Sequence, residues 1–307
     1  MPLEGEKILI TGSYGFLGRN LAKKFSRKGA RIYGIGHGEL TAKAISELGI
    51  VKYVSDEINL SNLLNTCKNP DKIIHCASGA SVSYSVSHPK EDFERNVDST
   101  LSVLEFMRLY ANEAQLVIPS SAAVYGQKEK KSICIGDELN PVSPYGNSKQ
   151  IAEILSQFYS NHYKLKISIV RLFSLYGLGL KKQLLWDACI KTKSNDHIYS
   201  GTGLETRDWI NIDDAASLIL LALKNASSKA TIINGGVGKA VSIKHVLSIL
   251  YEKLGIKIKP MFSGVAREGD PLFYEADMKE AFSWGWQPKI NLEDGINEYV
   301  EWFKSLN

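Results

Sequence analysis

Several things are scarce in this chain, and each shortage closes a class of function. No apolar run approaches the roughly 18 residues that a membrane-crossing helix needs, so no membrane span is expected. Cysteine is sparse: Cys67, Cys76, Cys134 and Cys189 stand apart, without a CxxC pair or metal-ligand spacing. That excludes a disulfide scaffold and a zinc module; reduced thiols and no metal are expected. A strong excess of one charge is also missing. The net charge is +4, and the basic runs Lys128-Glu129-Lys130-Lys131 and Lys181-Lys182 read as solvated loops, so no nucleic-acid partner is expected. Residues Met1 to Lys7 are polar and run straight into a strand, unlike a signal peptide, and the expected location is cytoplasmic.

What is present is a core. At 307 residues with 44% hydrophobic content the chain can bury one large α/β domain, alone or with a smaller lobe. Short apolar runs alternate with longer amphipathic stretches in the first two-thirds, the pattern of βαβ units around a parallel sheet. Strands are expected at Lys7 to Thr11, Arg31 to Ile35, Val51 to Val54, Lys72 to Cys76, Gln115 to Pro119 and Lys166 to Phe173. Helical patterns fall at 16–28, 41–48, 60–67, 90–112 and 145–163. After about residue 176 the rhythm breaks into a helix at 182–193, a strand at 207–211 and helices at 213–225, 242–254 and 292–304. The expected fold is α/β, a Rossmann-type doubly wound parallel sheet with a smaller mixed α/β C-terminal lobe. Residues 1–176, with parts of 205–235, would bind a dinucleotide, and most of 177–307 would form the substrate lobe.

The first motif opens the first helix: Gly12-Ser13-Tyr14-Gly15-Phe16-Leu17-Gly18, directly after a strand. Gly12 suits a tight turn, Gly15 a close approach of backbone amides to a pyrophosphate, and Gly18 close packing of the helix on the sheet. Tyr14, Phe16 and Leu17 in the turn, and Ala77 after the fourth strand, complete the expected cofactor contacts. The second strand ends at Ile35-Gly36-His37-Gly38, with no carboxylate where an NAD-binding protein usually places one for the adenosine ribose. Without that negative charge a 2′-phosphate is not repelled, and Arg19, Arg31 or His37 would supply positive charge. NADP(H) is therefore the leading cofactor expectation, with NAD(H) the other. Asp56 or Glu57, after the third strand, would reach the adenine amino group.

The second motif is Tyr145-Gly146-Asn147-Ser148-Lys149, with Ser120-Ser121 upstream. Spacing of four on a helix puts Tyr145 and Lys149 on one face. A phenol near pKa ~10 is a poor base at neutral pH, and an adjacent ammonium is expected to lower that value. Ser121, at the end of the fifth strand, would hydrogen-bond the reacting oxygen. His75, inside an apolar strand, reads as a core histidine.

With Ser120-Ser121-Ala122-Ala123-Val124-Tyr125-Gly126 and Ser143-Pro144-Tyr145-Gly146-Asn147-Ser148-Lys149, the two motifs resemble the extended short-chain dehydrogenase/reductase superfamily. More narrowly they resemble its nucleotide-sugar epimerase, dehydratase and 4-ketoreductase branch, over nearly the whole chain. Asn96-Val97 matches a structural pair of that branch; Arg207-Asp208-Trp209 and Arg267-Glu268-Gly269-Asp270 match its arginine segments. The resemblance implies a nucleotide-sugar substrate, with Arg207 and Arg267 on the diphosphate and Asp270 on the nucleotide ribose. Tyr84, Ser121, Ala122, Tyr145 and Ser174 would border the sugar. It also implies a homodimer through helices 90–112 and 145–163, whose faces carry Leu101, Leu104, Ile154 and Phe158.

Departures from the branch discriminate among its reactions. The dehydratases carry Thr-Asp-Glu where this chain has Ser121-Ala122-Ala123, and methyl groups cannot exchange protons. Dehydration is therefore not expected. The family asparagine after Arg-x-Phe is replaced by Ser174. The leading expectation is an NADPH-dependent reductase of a 4-keto-sugar nucleotide, with Ser121, Tyr145 and Lys149 as its catalytic set. The alternative is an NAD-dependent nucleotide-sugar 4-epimerase using the same three residues. A non-catalytic dinucleotide sensor is a more remote reading.

Overall fold

Apolar runs too short for helices become strands, and the amphipathic segments between them become helices. The computed structural model describes residues 3–79, 82–128, 132–265 and 271–306. In chain order the first elements are β1 (Lys7–Thr11), α1 (Phe16–Ser26), β2 (Arg31–Gly36), α2 (Ala42–Leu48), β3 (Ile50–Ser55), α3 (Leu60–Thr66) and β4 (Lys72–His75). Then come α4 (Val82–Ser87), α5 (Pro89–Phe93), a π-helical turn (Glu94–Asp98), α6 (Ser99–Tyr110), β5 (Gln115–Ser121), a 3₁₀ turn (Ala122–Tyr125), α7 (Pro144–Tyr163) and β6 (Lys166–Leu172). The remainder holds β7 (Ser174–Tyr176), α8 (Gln183–Lys193), β8 (Ile198–Tyr199), β9 (Thr206–Asn211), α9 (Ile212–Lys224) and β10 (Thr231–Gly235). It closes with β11 (Ala240–Ser242), α10 (Ile243–Leu254), β12 (Met261–Phe262), α11 (Lys279–Ser283) and α12 (Leu292–Lys304). Among the described residues no helix is long and apolar enough to cross a membrane.

Seven strands form the main sheet in the order β10-β6-β5-β4-β1-β2-β3. β1 pairs in parallel with β2 on one side and β4 on the other, so the chain winds outward from β1 and then crosses back. That reversal lies between β1 and β4, and ligands bind at the carboxyl ends of strands where such a reversal opens a crevice. One face of the sheet is sealed by Leu9, Ile35, Ile73, Leu116 and Ile118 against Leu63, Val103 and Met107 from α3 and α6. Each such side chain contributes about 1.5–3 kcal/mol on full burial, which fixes the strand ends and the turns they carry.

Three sequence expectations changed. The helix expected over 90–112 is broken into α5, the π-helical turn and α6. The strand expected to run to Phe173 stops at Leu172, and Ser174–Tyr176 joins a different sheet, paired in parallel with β9. β10, whose carboxyl end is marked by Asn234 and Gly235, is the seventh strand of the main sheet and was not expected as a strand.

The chain divides into two compact units. One comprises Met1–Gly126, Leu139–Arg171 and Ala216–Ile233; the other comprises Gln127–Glu138, Leu172–Ala215 and Asn234–Asn307. Within the second, β7, β9 and β11 form a three-stranded sheet and β8 pairs with β12. Its core carries Tyr176 edge-on to Trp209, and Trp186 against Trp302 and Phe303.

Candidate active site

In the first unit β1 delivers the chain into the glycine turn. Gly12 has φ +66, and a Cβ there would lie 2.6 Å from the Ala77 nitrogen at the end of β4. Only glycine allows this approach of the β1 and β4 ends. A Cβ on Gly18 would lie 2.3 Å from the Gly12 carbonyl oxygen, so Gly18 packs against the turn itself rather than the sheet at large. Gly15 caps α1 with extended backbone and no side-chain hydrogen bond, and α1 has no acidic residue in its first turn. The first amides of α1, from Phe16 onward, are thus left to an anion. A pyrophosphate-bearing dinucleotide fits this cradle. Ala77 donates its N–H to Thr11 Oγ1 at 3.2 Å, tying the two strand ends together.

At the end of β2, Tyr53 donates its hydroxyl to the carbonyls of Gly36 (3.1 Å) and Gly38 (2.6 Å). His37 is exposed there, as are Asp56 and Glu57 after β3, where Asp56 Oδ1 accepts the Glu57 N–H at 2.7 Å. Of the basic residues expected around a 2′-phosphate, Arg31 lies away from this end. Arg31 is the first residue of β2, paired with Lys7 at the opposite end of the strands. Arg19 lays its guanidinium over the exposed Tyr14 ring, 5.4 Å from the centroid. The missing carboxylate is real; Arg19, through Tyr14, and His37 stay at this strand end, and Arg31 does not.

The second motif is set by a helix start. Ser143 Oγ accepts the Gly146 N–H at 3.1 Å, Pro144 occupies the first turn, and Ser85 Oγ from α4 accepts the Tyr145 N–H at 3.0 Å. Tyr145 and Lys149 then share one face of α7, with Lys149 Nζ 5.9 Å from the Tyr145 ring centroid. Ser121, the last residue of β5, hydrogen-bonds the Tyr145 phenol and also accepts the Ala123 N–H at 3.2 Å. Ala122 begins the 3₁₀ turn beside it. Burial pushes the Tyr145 phenol up to about 12, and the Ser121 hydrogen bond only partly offsets this. Burial also pulls the Lys149 ammonium down to about 8, while the charges of Asp92 and Glu153 hold it up. The expected lowering of the phenol by Lys149 is therefore not what the protein alone displays. The ammonium donates to the Pro119 carbonyl at 3.2 Å, and at the phenol burial and the charge of Asp92 outweigh the Ser121 hydrogen bond.

A buried ion pair lies one helical turn further along α7. Arg171 of β6 forks onto Glu153, with Nη2 to Oε2 at 2.8 Å and Nε to each carboxylate oxygen at 3.2 Å. Arg171 Nη1 also donates to the Tyr125 hydroxyl at 2.9 Å, and Ser120 Oγ donates to Glu153 Oε1. These contacts tie β5, the 3₁₀ turn, α7 and β6 into one register around Ser121 and Tyr145. The sequence held a signal for both partners: Glu153 continues the Tyr145–Lys149 face at the same spacing, and Arg171 is a lone charge in an apolar strand. His75 is the core histidine expected, bonded by Thr11 Oγ1 at 2.7 Å and Thr100 Oγ1 at 3.1 Å, and burial pulls it down to about 3.

Other expected contacts are differently engaged. Tyr84 stacks on His88 with centroids 4.3 Å apart and donates its hydroxyl to Glu91. In the second unit Ser174 opens β7 opposite Trp209. Arg207 there donates to the carbonyls of Pro271 (2.6 Å) and Thr206 (2.9 Å). Next to it Asp208 is fully buried and accepts backbone N–H groups from Val237, Gly238 and Ala276 at 2.7, 2.9 and 3.1 Å. Even so, burial raises its carboxyl to about 6. Arg267 and Asp270 lie outside the described residues.

Comparison with known proteins agrees with this geometry. Residues 8–236 match the NAD dependent epimerase/dehydratase family. A putative UDP-glucose 4-epimerase of Methanocaldococcus jannaschii is 30% identical, the match covering 98% of this chain and 99% of that protein. CDP-paratose 2-epimerase of Salmonella typhi is 29% identical over 98% of this chain and 100% of its own length. The structure of UDP-glucuronic acid 4-epimerase from Bacillus cereus, in complex with UDP-glucuronic acid and NAD, superposes with a TM-score of 0.87 at 25% identity. That match covers 98% of this chain and 100% of the other.

Proposed function

The chain belongs to the NAD dependent epimerase/dehydratase family, an extended short-chain dehydrogenase/reductase type of enzyme, and we propose that it interconverts C4 epimers of a nucleoside-diphosphate sugar with NAD as its resident cofactor. The observation that carries this reading is the Ser121–Tyr145 hydrogen bond above Lys149, at the strand ends that also bear the glycine turn. NAD supplies reversible hydride chemistry at an alcohol carbon when bound. Everything else is work for this chain's own residues.

Gly12, Gly15 and Gly18, with Tyr14, Phe16, Leu17 and Ala77, would hold the dinucleotide at the N-terminus of α1. His37, Asp56 and Glu57 would lie at its adenosine end. Tyr145 would accept the proton of the sugar C4 hydroxyl and later return it to the same oxygen, once the sugar has turned its opposite face to the cofactor. Ser121 would hydrogen-bond the same oxygen and keep the phenol oriented. Lys149 would hold the cofactor ribose and, as a charge, favour the phenolate. Ala122, Tyr84 and Ser174 would border the sugar, and Arg207, Arg267 and Asp270 would take the diphosphate and nucleotide. Guanidinium forks suit phosphate oxygens.

The 4-epimerase reading takes precedence over the NADPH-dependent reductase expected from the sequence. Two of the relatives above are 4-epimerases by name, and the solved one holds NAD. The methyl groups of Ala122 and Ala123 cannot serve as the acid and base of a dehydratase. The protein would work in the cytoplasm as a homodimer across α6 and α7, where Leu101, Ile154 and Phe158 are exposed. Leu104, expected on the same face, is fully buried and belongs to the core.

The test is to denature the freshly purified protein and identify any released dinucleotide by mass spectrometry, then titrate the protein with NADH and NADPH. Retained NAD⁺ is the expected result. A protein that arrives empty and binds NADPH in preference would overturn the 4-epimerase reading.

A further inference from the structure

Asp92 is buried in α5, 1% exposed, and stands apart from the residues assigned to chemistry above. Its Oδ1 accepts from Asn96 Nδ2 at 3.1 Å, while Oδ2 has no hydrogen-bond partner among the described residues. The Asn96 Oδ1, in the π-helical turn and equally buried, also has none. Two buried acceptor oxygens on neighbouring helical turns therefore lack a donor among the described residues. A lone carboxylate out of water costs several kcal/mol, so this arrangement persists only if a donor or a cation answers it.

The first unit holds two buried carboxylates whose fields reach Lys149, and they differ in this respect. Glu153 is neutralised by the Arg171 fork. Asp92 has no such partner. The other titratable groups facing Lys149 or its neighbours are uncharged: Tyr145 at about 12, Cys76 at about 12 and His75 at about 3. Lys149, 6% exposed, spends one donor on the Pro119 carbonyl and has others to give. Packing of α5 against α7 places Asp92 where its charge acts on both Lys149 and Tyr145.

We propose that Asp92 is a positioning residue for the Tyr145–Lys149 pair, the counter-charge that keeps Lys149 an ammonium, engaged directly or through one buried water that Asn96 Oδ1 also accepts from. The role of that pair in turnover rests on the function proposed above; the charge relation between Asp92 and Lys149 does not. Removing the carboxylate leaves the buried ammonium without its counter-charge, so Lys149 loses its proton at lower pH. A phenolate at Tyr145 then loses its cation, and activity fails earlier on the alkaline side.

The test follows the Lys149 side chain in ¹⁵N-lysine-labelled full-length protein by NMR, assigned with Lys149→Arg, in wild type and Asp92→Asn. The titration midpoint is expected to fall by about one pH unit in the variant. Coincident midpoints in folded protein would overturn the proposal. Should Asp92→Asn not fold, Gly79→Ala serves instead: its Cβ would sit 2.7 Å from Asp92 Oδ1 and must displace the carboxylate. The same downward shift is expected there, and an unmoved midpoint contradicts the proposal. With a nucleotide-sugar substrate in hand, the alkaline limb of the kcat profile should shift in parallel with KM little changed. A shifted midpoint in a protein that turns over no nucleotide sugar would uphold the charge relation and sink the functional reading. Turnover with an unmoved midpoint would do the reverse.

Discussion

Glu153 and Asp208 are both buried carboxylates, one in each unit, and they are satisfied in different ways. Glu153 answers a guanidinium on a neighbouring strand and a serine on another, so it locks regular elements into register. Among the described residues Asp208 answers backbone N–H groups, from residues 237, 238, 239 and 276, so it organises loops. The first solution gives the rigid placement that proton transfer needs, since a misplacement of about 1 Å can cost on the order of 100-fold in rate. The second leaves loop shape free to vary around a fixed pin, which suits recognition of one sugar nucleotide among many. On the function proposed above, the difference would separate chemistry, placed on strands and helices of the first unit, from specificity, placed on connections of the second.

The largest expected effect bears on the chemical side of this division. Tyr145→Phe should lower kcat by about 10³-fold while leaving retained dinucleotide unchanged, read by a coupled epimerase assay and mass spectrometry. Near-normal kcat would remove the phenol from the mechanism. Glu153→Gln leaves the Arg171 guanidinium buried against a neutral amide; a loss of about 3–5 kcal/mol in unfolding free energy is expected from denaturant titration. A loss under ~1 kcal/mol, typical of surface pairs, would erase the contrast with loop-organising Asp208.

Gly12→Ala comes next. Left-handed backbone and the 2.6 Å approach to Ala77 both oppose the methyl group, so a cost of about 1–3 kcal/mol and loss of NAD are expected together. Retained NAD with only lowered stability would take the glycine turn out of the cofactor site.

The Asp208 prediction concerns pH. Its carboxyl titrates at about 6 in the folded protein against an ordinary aspartate value of 3.8, so the native form binds the proton more tightly than the unfolded chain does. The penalty for its charge is fully present above pH ~6 and is relieved as pH falls towards ~4. Relative to Asp208→Asn, the wild type should therefore gain on the order of 1 kcal/mol between pH 7 and pH 5 in parallel denaturant titrations. An unchanging difference would mean that the amides fully compensate the charge. Smallest of all, Ser13→Ala should be neutral or slightly stabilising, because the buried Ser13 Oγ makes no hydrogen bond among the described residues.

The glycine turn and the Tyr145–Lys149 face were legible because each is local: a strand, a turn and a helix in one stretch, or two residues one helical turn apart. What escaped was non-local or depended on burial. β10 is too short and polar at its ends to announce itself, yet it completes the sheet by pairing with a strand some sixty residues earlier. The break after α5 depends on a π-helical turn that no proline or glycine marks. Asp92 reads as one more surface acid beside Glu91 and Glu94 until the fold buries it. Of the basic residues expected near a 2′-phosphate, Arg31 failed for a geometric reason: it begins the strand whose other end faces the cofactor site.

The most direct test of the central claim is to supply UDP-hexoses and UDP-hexuronic acids deuterated at C4, with no added cofactor, and to analyse the products by NMR. The account predicts the C4 epimer of one of them with deuterium still at C4, because the hydride leaves and returns within one closed site. No epimer from any of the set, or an epimer whose label has gone to solvent, would contradict it.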